Sequence, residues 1–177
     1  SVGELASFAA AGVLDPSLAL ELAGARAAAM DRCAAAVPGG LLAVSGLSSA
    51  QVQRLCETSG AALAIDNGEH AVVLGGPHAA LQAAEQAATD AGGRCTRLHV
   101  DVASHTPWMQ AAAAEFAQVL SASILRAPHI PLFSNADDRI TSAAQAARAL
   151  AEQISRVVRW RACMEQLHER RPACVLE

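Results

Sequence analysis

The 177-residue chain has no lysine: all thirteen basic residues are arginines, set against seventeen acids for a formal charge of −4. That balance excludes general nucleic-acid binding, which needs a basic surface, although single arginines can still serve a phosphorylated ligand. No apolar run approaches the ~18 residues that a membrane span requires, and no basic, apolar leader with a cleavage site precedes the first helical stretch. No membrane partner is expected. The chain also lacks any C-x-x-C pair. Cys33, Cys56, Cys95, Cys163 and Cys174 are far apart and odd in number, which fits reduced thiols in a cytoplasmic protein better than a disulfide framework or a zinc site. The six histidines show no H-E-x-x-H spacing, so no metal is expected. Internal repeats are missing too, beyond a general richness in alanine. What is present is 53% hydrophobic residues with 17% charged, the composition of a globular chain long enough to bury a core.

The pattern along the chain alternates helices and strands. Residues 2–11 read as a helix closed by Gly12, and Asp15-Pro16 supplies an N-cap and a first-turn proline for a second helix reaching about Ala35. "LLAVSG" is a short buried strand, Ser48 caps a helix to about Ser59, and "AALAI" and "AVVLGG" are strands separated by the turn "DNGEH". A helix from Pro77 to about Ala91 and a strand "RCTRLHVDV" complete a β-α-β-β-α-β order, that of a ferredoxin-like split βαβ unit. Beyond it come a helix opened by "TPW", a short strand in "IPLFSN", a helix capped by Thr141, a helix from Trp160 to about Arg170, and a final buried strand "ACVLE". The expected fold class is therefore α/β. Residues 1–40 and 100–177 form a larger layer and residues 41–99 an inserted ferredoxin-like unit.

Three residues stand out chemically, each with two readings. Ser1 and Glu4 have the S-x-x-E spacing of a helix capping box; Ser1, with Gly3 two residues on, also fits the second half of a G-x-S-x-G elbow that exposes a nucleophilic hydroxyl. Arg26 falls on an i, i+4 row with Leu18, Leu22 and Met30. There it either snorkels to water or offers a planar fork to a carboxylate in a dry site. His105, after a strand and before Pro107, is either bonded to a loop backbone or a base for the serine. His70, His78 and His129 are assigned no role.

Together these segments resemble a known family. "SVGELASFAAAGVL" is similar to the sequence that follows Gly-His in the G-H-S-x-G-E motif of the malonyl-CoA:acyl-carrier-protein transacylases, which include the acyltransferase domains of polyketide synthases. Arg26, "NGEHAVVLGG", "VASH", "APHIPLFSNAD", "QISRVVRW" and "ACVLE" follow in the family's order. The resemblance covers nearly the whole chain. It implies an incomplete α/β-hydrolase-like core carrying the ferredoxin-like insert. It also implies Ser1 as acylated nucleophile, His105 as general base and acid, Gln153 as the residue whose backbone carbonyl orients the histidine, Arg26 as partner of the malonyl carboxylate, and Val2 as an oxyanion amide. Arg94, eleven residues before His105, falls where family members bind coenzyme A phosphates, Arg97 is expected one face-repeat further on, and both equally read as solvated strand residues. The implied activity moves a malonyl group from coenzyme A to the phosphopantetheine thiol of an acyl carrier protein. Malonyl-CoA and the carrier are the partners, and no cofactor beyond these substrates is implied.

Several departures from the family pattern accompany this. The Gly-His before the serine, the N-terminal strand, the glutamine loop of the oxyanion hole and the G-P-G turn after Glu177 are absent from the chain, and Val157 replaces a usual proline. The expectation is of an excised middle portion beginning on the nucleophile and inactive by itself. Within the family, "VASHTPW" and "VVRWRACMEQLHERRPACVLE" most resemble the malonyltransferase subunit of bacterial malonate decarboxylase, with the fatty-acid synthesis transacylase close behind. Ser104 sits where polyketide acyltransferases often read malonyl against methylmalonyl, a rule that does not carry to single-chain transacylases. Two other classes share some of these residues. A serine acyl hydrolase has no need of Arg26, and a non-catalytic binding module would use Ser1 only as a cap.

Overall fold

The computed structural model describes residues 3–135 and 139–174; Ser1 and Val2 lie outside them. Helix α1 (Gly3–Ala10) ends where Gly12 turns the chain at φ +75°, a left-handed conformation that glycine adopts without a side-chain clash. A side chain there would also run into the ring of His129. Helix α2 (Pro16–Ala36) begins on its proline as the sequence predicts. Asp15 provides no side-chain cap and instead faces Arg126 across the surface at 3.3 Å.

The middle of the chain follows the predicted order closely: β1 (Gly39–Ser45), α3 (Ser49–Ser59), β2 (Ala62–Asp66), β3 (Ala71–Pro77), α4 (His78–Asp90) and β4 (Arg94–Arg97). Ser48 and Gln51 form a reciprocal capping box at the start of α3. The strands make one antiparallel sheet in the order β2-β3-β1-β4, because each β-α-β crossover steps over a neighbouring strand that the other supplies. Alternation divides the sheet's side chains. Leu42, Val44 and Leu74 join one core with Leu55, Leu81 and Ala84 of α3 and α4, while Leu41, Ala64 and Val73 form a second cluster with Leu98.

Strand β4 is shorter than the sequence suggests. It ends at Arg97, and Leu98 adds one more backbone bond to β1, donating its amide to the Leu41 carbonyl at 3.0 Å. Beyond that point the chain crosses the glycine-rich end of the sheet. A β-carbon on Gly40 would stand 2.8 Å from the Val100 carbonyl oxygen, and one on Gly75 would stand 2.7 Å from the Thr106 methyl. Glycine at these positions lets residues 100–106 lie against the sheet, which fixes where His105 emerges.

After a single 3-10 turn (Pro107–Met109), α5 (Gln110–Ser121) is followed by β5 (Leu132–Phe133) and β6 (Arg139–Ile140), a two-residue antiparallel hairpin. Helix α6 (Ala143–Glu152) is capped by Ser142, which accepts from the Gln145 amide at 3.2 Å, and not by Thr141 as expected. The Gln145 side chain reaches back to Thr141 instead, accepting from its amide at 2.8 Å. Val158 then attaches the chain to the free edge of β2 through two backbone bonds with Ala64 and Asp66, ahead of α7 (Trp160–Glu169). Most of the strand predicted in "ACVLE" lies outside the described residues; Ala173 and Cys174 are exposed and not in a strand. A third and largest core joins α1, α2, α5, α6 and the hairpin around Phe8, Leu14, Leu22, Phe116, Leu120 and Ile154. Among the described residues this part is helical around a short hairpin, where the sequence led us to expect alternating strands. No helix of the described residues is long and apolar enough to cross a membrane.

Candidate active site

Arg26 leaves α2 on the row that the sequence marks, and it is buried, with 7% of its surface exposed. It does not snorkel. Its Nη2 donates to Oε1 of Gln153 at 3.0 Å. Burial pulls the guanidinium below its ordinary pKa, and the charge of Glu4 opposes that pull. Arginine stays charged in either case.

His105 is also buried, and it is held at two points by the end of α6. Its amide donates to the Ile154 carbonyl at 2.9 Å, and its Nδ1 lies 2.7 Å from the Gln153 carbonyl. A carbonyl only accepts, so Nδ1 carries the proton and Nε2 keeps its lone pair. The carbonyl comes from the C-terminal end of α6, where the last carbonyls lack partners within the helix. His105 has φ +62°, a sparsely populated conformation for a residue with a β-carbon, and the packing of residues 100–106 on the sheet maintains it.

Burial lowers the His105 pKa from 6.5 to about 4; the bond to Gln153 opposes the fall, and the positive charges of this chain's amino terminus and, less, of Arg26 add to it. The ring is therefore neutral at pH 7, the form a general base requires. An unfolded chain takes up this proton near pH 6.5, whereas the folded one does so near pH 4. Stability tied to His105 is thus complete above pH 6.5 and is lost as pH falls toward 4, by up to about 1.4 kcal/mol per pH unit. Thermal unfolding midpoints of the full-length protein should fall more steeply across this window than those of His105→Asn. Parallel profiles would contradict the assignment.

Gln153, 2% exposed, joins these two groups. Its backbone carbonyl faces His105, its side-chain oxygen accepts from Arg26, and its Nε2 donates to Oε2 of Glu4 at 2.8 Å. Glu4 is the residue that sequence reasoning missed. Its carboxylate turns inward: Oε1 accepts from the Ser134 hydroxyl and from the Asn135 amide at 3.2 Å, so the residue that read as half of a cap is buried at the centre of a polar network. The signal was available in the i, i+4 row of Glu4 with Phe8, the same logic that exposed Arg26.

The other predicted residues sit apart. In β4, Arg94 pairs in register with Ser45 and Arg97 with Leu42; contrary to the expected face-repeat, residues three apart in a strand point to opposite faces of the sheet, so the two arginines make no common cluster. Arg97 Nε donates to Glu85 of α4 at 2.9 Å, while Arg94 is exposed. Ser104 is buried beside His105. Ser1 and Val2 lie outside the described residues. No group of three or more His, Cys, Asp and Glu side chains among the described residues is placed to hold a metal ion. A surface groove of about 450 Å³ between α5 and α6 touches neither Arg26 nor His105. The site is therefore marked by the convergence of buried polar groups, not by cavity size.

A neutral buried histidine aligned by a backbone carbonyl can accept a proton at Nε2, and the residue that aligns it also holds a buried arginine charge. Residues 1–177 match the acyl transferase domain along their whole length. The chain belongs to that family. It is 35% identical over 173 residues to a malonyl CoA-acyl carrier protein transacylase of Mycolicibacterium smegmatis, covering 96% of this chain and 59% of that protein. It is 33% identical over 171 residues to a phenolphthiocerol synthesis polyketide synthase of Mycobacterium marinum, covering 95% of this chain and 8% of that much longer protein. Among solved structures, the malonyl CoA-acyl carrier protein transacylase of Coxiella burnetii superposes with a TM-score of 0.89 at 29% identity, over 95% of this chain and 55% of its own. A malonyl-transacylase solved with a type II polyketide synthase acyl carrier protein gives 0.89 at 29% identity, over 94% of this chain and 56% of its own. This acyl transferase domain chain thus spans somewhat over half the length of the transacylases it matches, and its mixed α/β architecture is that of the acyltransferase fold.

Proposed function

We propose that the protein carrying this chain transfers a malonyl group from coenzyme A to the phosphopantetheine thiol of an acyl carrier protein through an ester on Ser1. The observation that carries the reading is the convergence of Arg26 and the neutral His105 on the single residue Gln153. In the first half-reaction, the Ser1 hydroxyl attacks the thioester carbonyl as His105 Nε2 takes its proton. The C–S bond then breaks, and the proton passes to the departing coenzyme A thiolate. The second half-reaction runs the same steps with the carrier thiol as nucleophile and serine as leaving group. The Val2 amide is assigned to stabilise the oxyanion, and Gln153 takes the part that a carboxylate plays in hydrolase triads. Arg26 pairs with the malonyl carboxylate. Arg94 is the better candidate for a coenzyme A phosphate, since Arg97 is already engaged by Glu85.

The β1 to β4 unit is read as a ferredoxin-like subdomain, 41–99, set in a hydrolase-like core of 1–40 and 100–177. The names of the relatives support an acyl carrier protein as the acceptor, and one solved relative is bound to a carrier of type II polyketide synthesis; a carrier of fatty-acid or polyketide synthesis is the first reading. The segments "VASHTPW" and "VVRWRACMEQLHERRPACVLE" favour a second reading, the malonyltransferase subunit of malonate decarboxylase. Malonyl transfer by the full-length protein to the two kinds of holo carrier, followed by mass spectrometry, separates them. Transfer to neither carrier, with malonyl-CoA merely hydrolysed, would replace the proposal with a hydrolase.

A further inference from the structure

Glu4, Gln153 and Arg26 form a buried chain of three polar side chains in which a neutral amide stands between opposite charges. Glu4 is 6% exposed, Gln153 2% and Arg26 7%. The guanidinium can only donate and the carboxylate can only accept, so the two neighbours fix the orientation of the amide, with Oε1 toward Arg26 at 3.0 Å and Nε2 toward Glu4 at 2.8 Å. Glu4 is itself fixed by the Ser134 hydroxyl and the Asn135 amide, from the segment that follows β5.

The same residue, Gln153, presents its backbone carbonyl to Nδ1 of His105. The carboxylate receptor and the base therefore share one support. A direct Arg26–Glu4 fork would occupy the guanidinium with an internal carboxylate. The amide spacer brings the negative charge near enough to favour the charged arginine without placing that carboxylate in the fork.

We propose that Glu4 is a positioning residue for substrate selection: through the side-chain amide of Gln153 it holds Arg26 in register with His105, so that seating an acidic acyl group and aligning the base are one event. The inference rests on the malonyl-transfer reading. It assigns Glu4 no contact with the reacting atoms. Its effect is on discrimination between acidic and neutral acyl groups, because a neutral acyl thioester makes no use of the Arg26 fork.

The test uses the full-length protein with Glu4→Gln, which keeps size and shape but removes the charge and lets the residue-4 amide present either end to Gln153. A second variant, Gln153→Met, removes the amide while keeping the backbone carbonyl that holds His105. Serine acylation is measured as kcat and KM with malonyl-CoA and with acetyl-CoA. In both variants the malonyl-to-acetyl ratio of kcat/KM should fall on the order of tenfold or more, the scale of a hydrogen bond to a charged group, through a raised KM for malonyl-CoA. A merely structural role would lower both substrates in parallel, and an unchanged ratio in folded Glu4→Gln or Gln153→Met would overturn the inference alone. Wild-type protein that takes no malonyl group would overturn the reading beneath it, and the inference with it.

Discussion

His105→Asn should lower acyl transfer by about 10²- to 10⁴-fold, the range for loss of a positioned general base, while leaving the protein folded. Asparagine suits this test for two reasons. It tolerates the left-handed backbone better than most residues, and His105 sits at φ +62°. Its side-chain nitrogen also occupies roughly the position of Nδ1, so the 2.7 Å bond to the Gln153 carbonyl can be kept. What is lost is Nε2, the only ring atom left to accept a proton. Rates of acylation by malonyl-CoA, measured beside the unfolding midpoint, separate the two effects. A folded variant with activity within a few-fold of wild type would show that His105 is a structural histidine bonded to its loop.

Arg26→Ala should lose malonyl-CoA selectively. An unpaired partner in a buried charge pair costs about 2–5 kcal/mol, which corresponds to a fall of roughly thirtyfold to a few thousandfold in kcat/KM at about 1.4 kcal/mol per tenfold. Acetyl-CoA has no carboxylate to lose, so its kcat/KM should be unchanged or higher. Arg26 is 7% exposed and bonded to Gln153, and its removal also takes away a positive charge that acts on Glu4, so some stability is lost as well. The ratio between the two substrates cancels that loss, because both are measured on the same folded fraction. An unaltered ratio would favour a serine hydrolase, for which Arg26 is only a helix residue.

The sequence carried some of this and not the rest, for identifiable reasons. The order β1-α3-β2-β3-α4-β4 was legible because each element has its own punctuation, such as the Ser48 capping box and the turn before Ala71. Arg26 was legible because helical geometry places i, i+4 residues on one face, and a charge on an apolar row stands out there. Gln153 and His105 were paired through family resemblance, since two residues far apart in sequence leave no local trace of a backbone carbonyl meeting a ring nitrogen. The second use of Gln153, its side chain, had no sequence signal at all. Glu4 was masked by a plausible local alternative, because an acid in a first helical turn after serine is what a cap also looks like. Strand β6, the partner of the strand read in "IPLFSN", and the early end of β4 escaped for a different reason. Two-residue strands have no periodicity to read, and β4 stops where the glycines of the sheet let the chain cross over it.

Whether Ser1 carries the malonyl group is read from the intact mass of the full-length protein after mixing with malonyl-CoA, followed by peptide mapping. A single malonyl ester is expected on the peptide containing Ser1, absent from Ser1→Ala and discharged by a holo carrier protein. A folded protein that acquires no adduct, or acquires one that persists in Ser1→Ala, would contradict it.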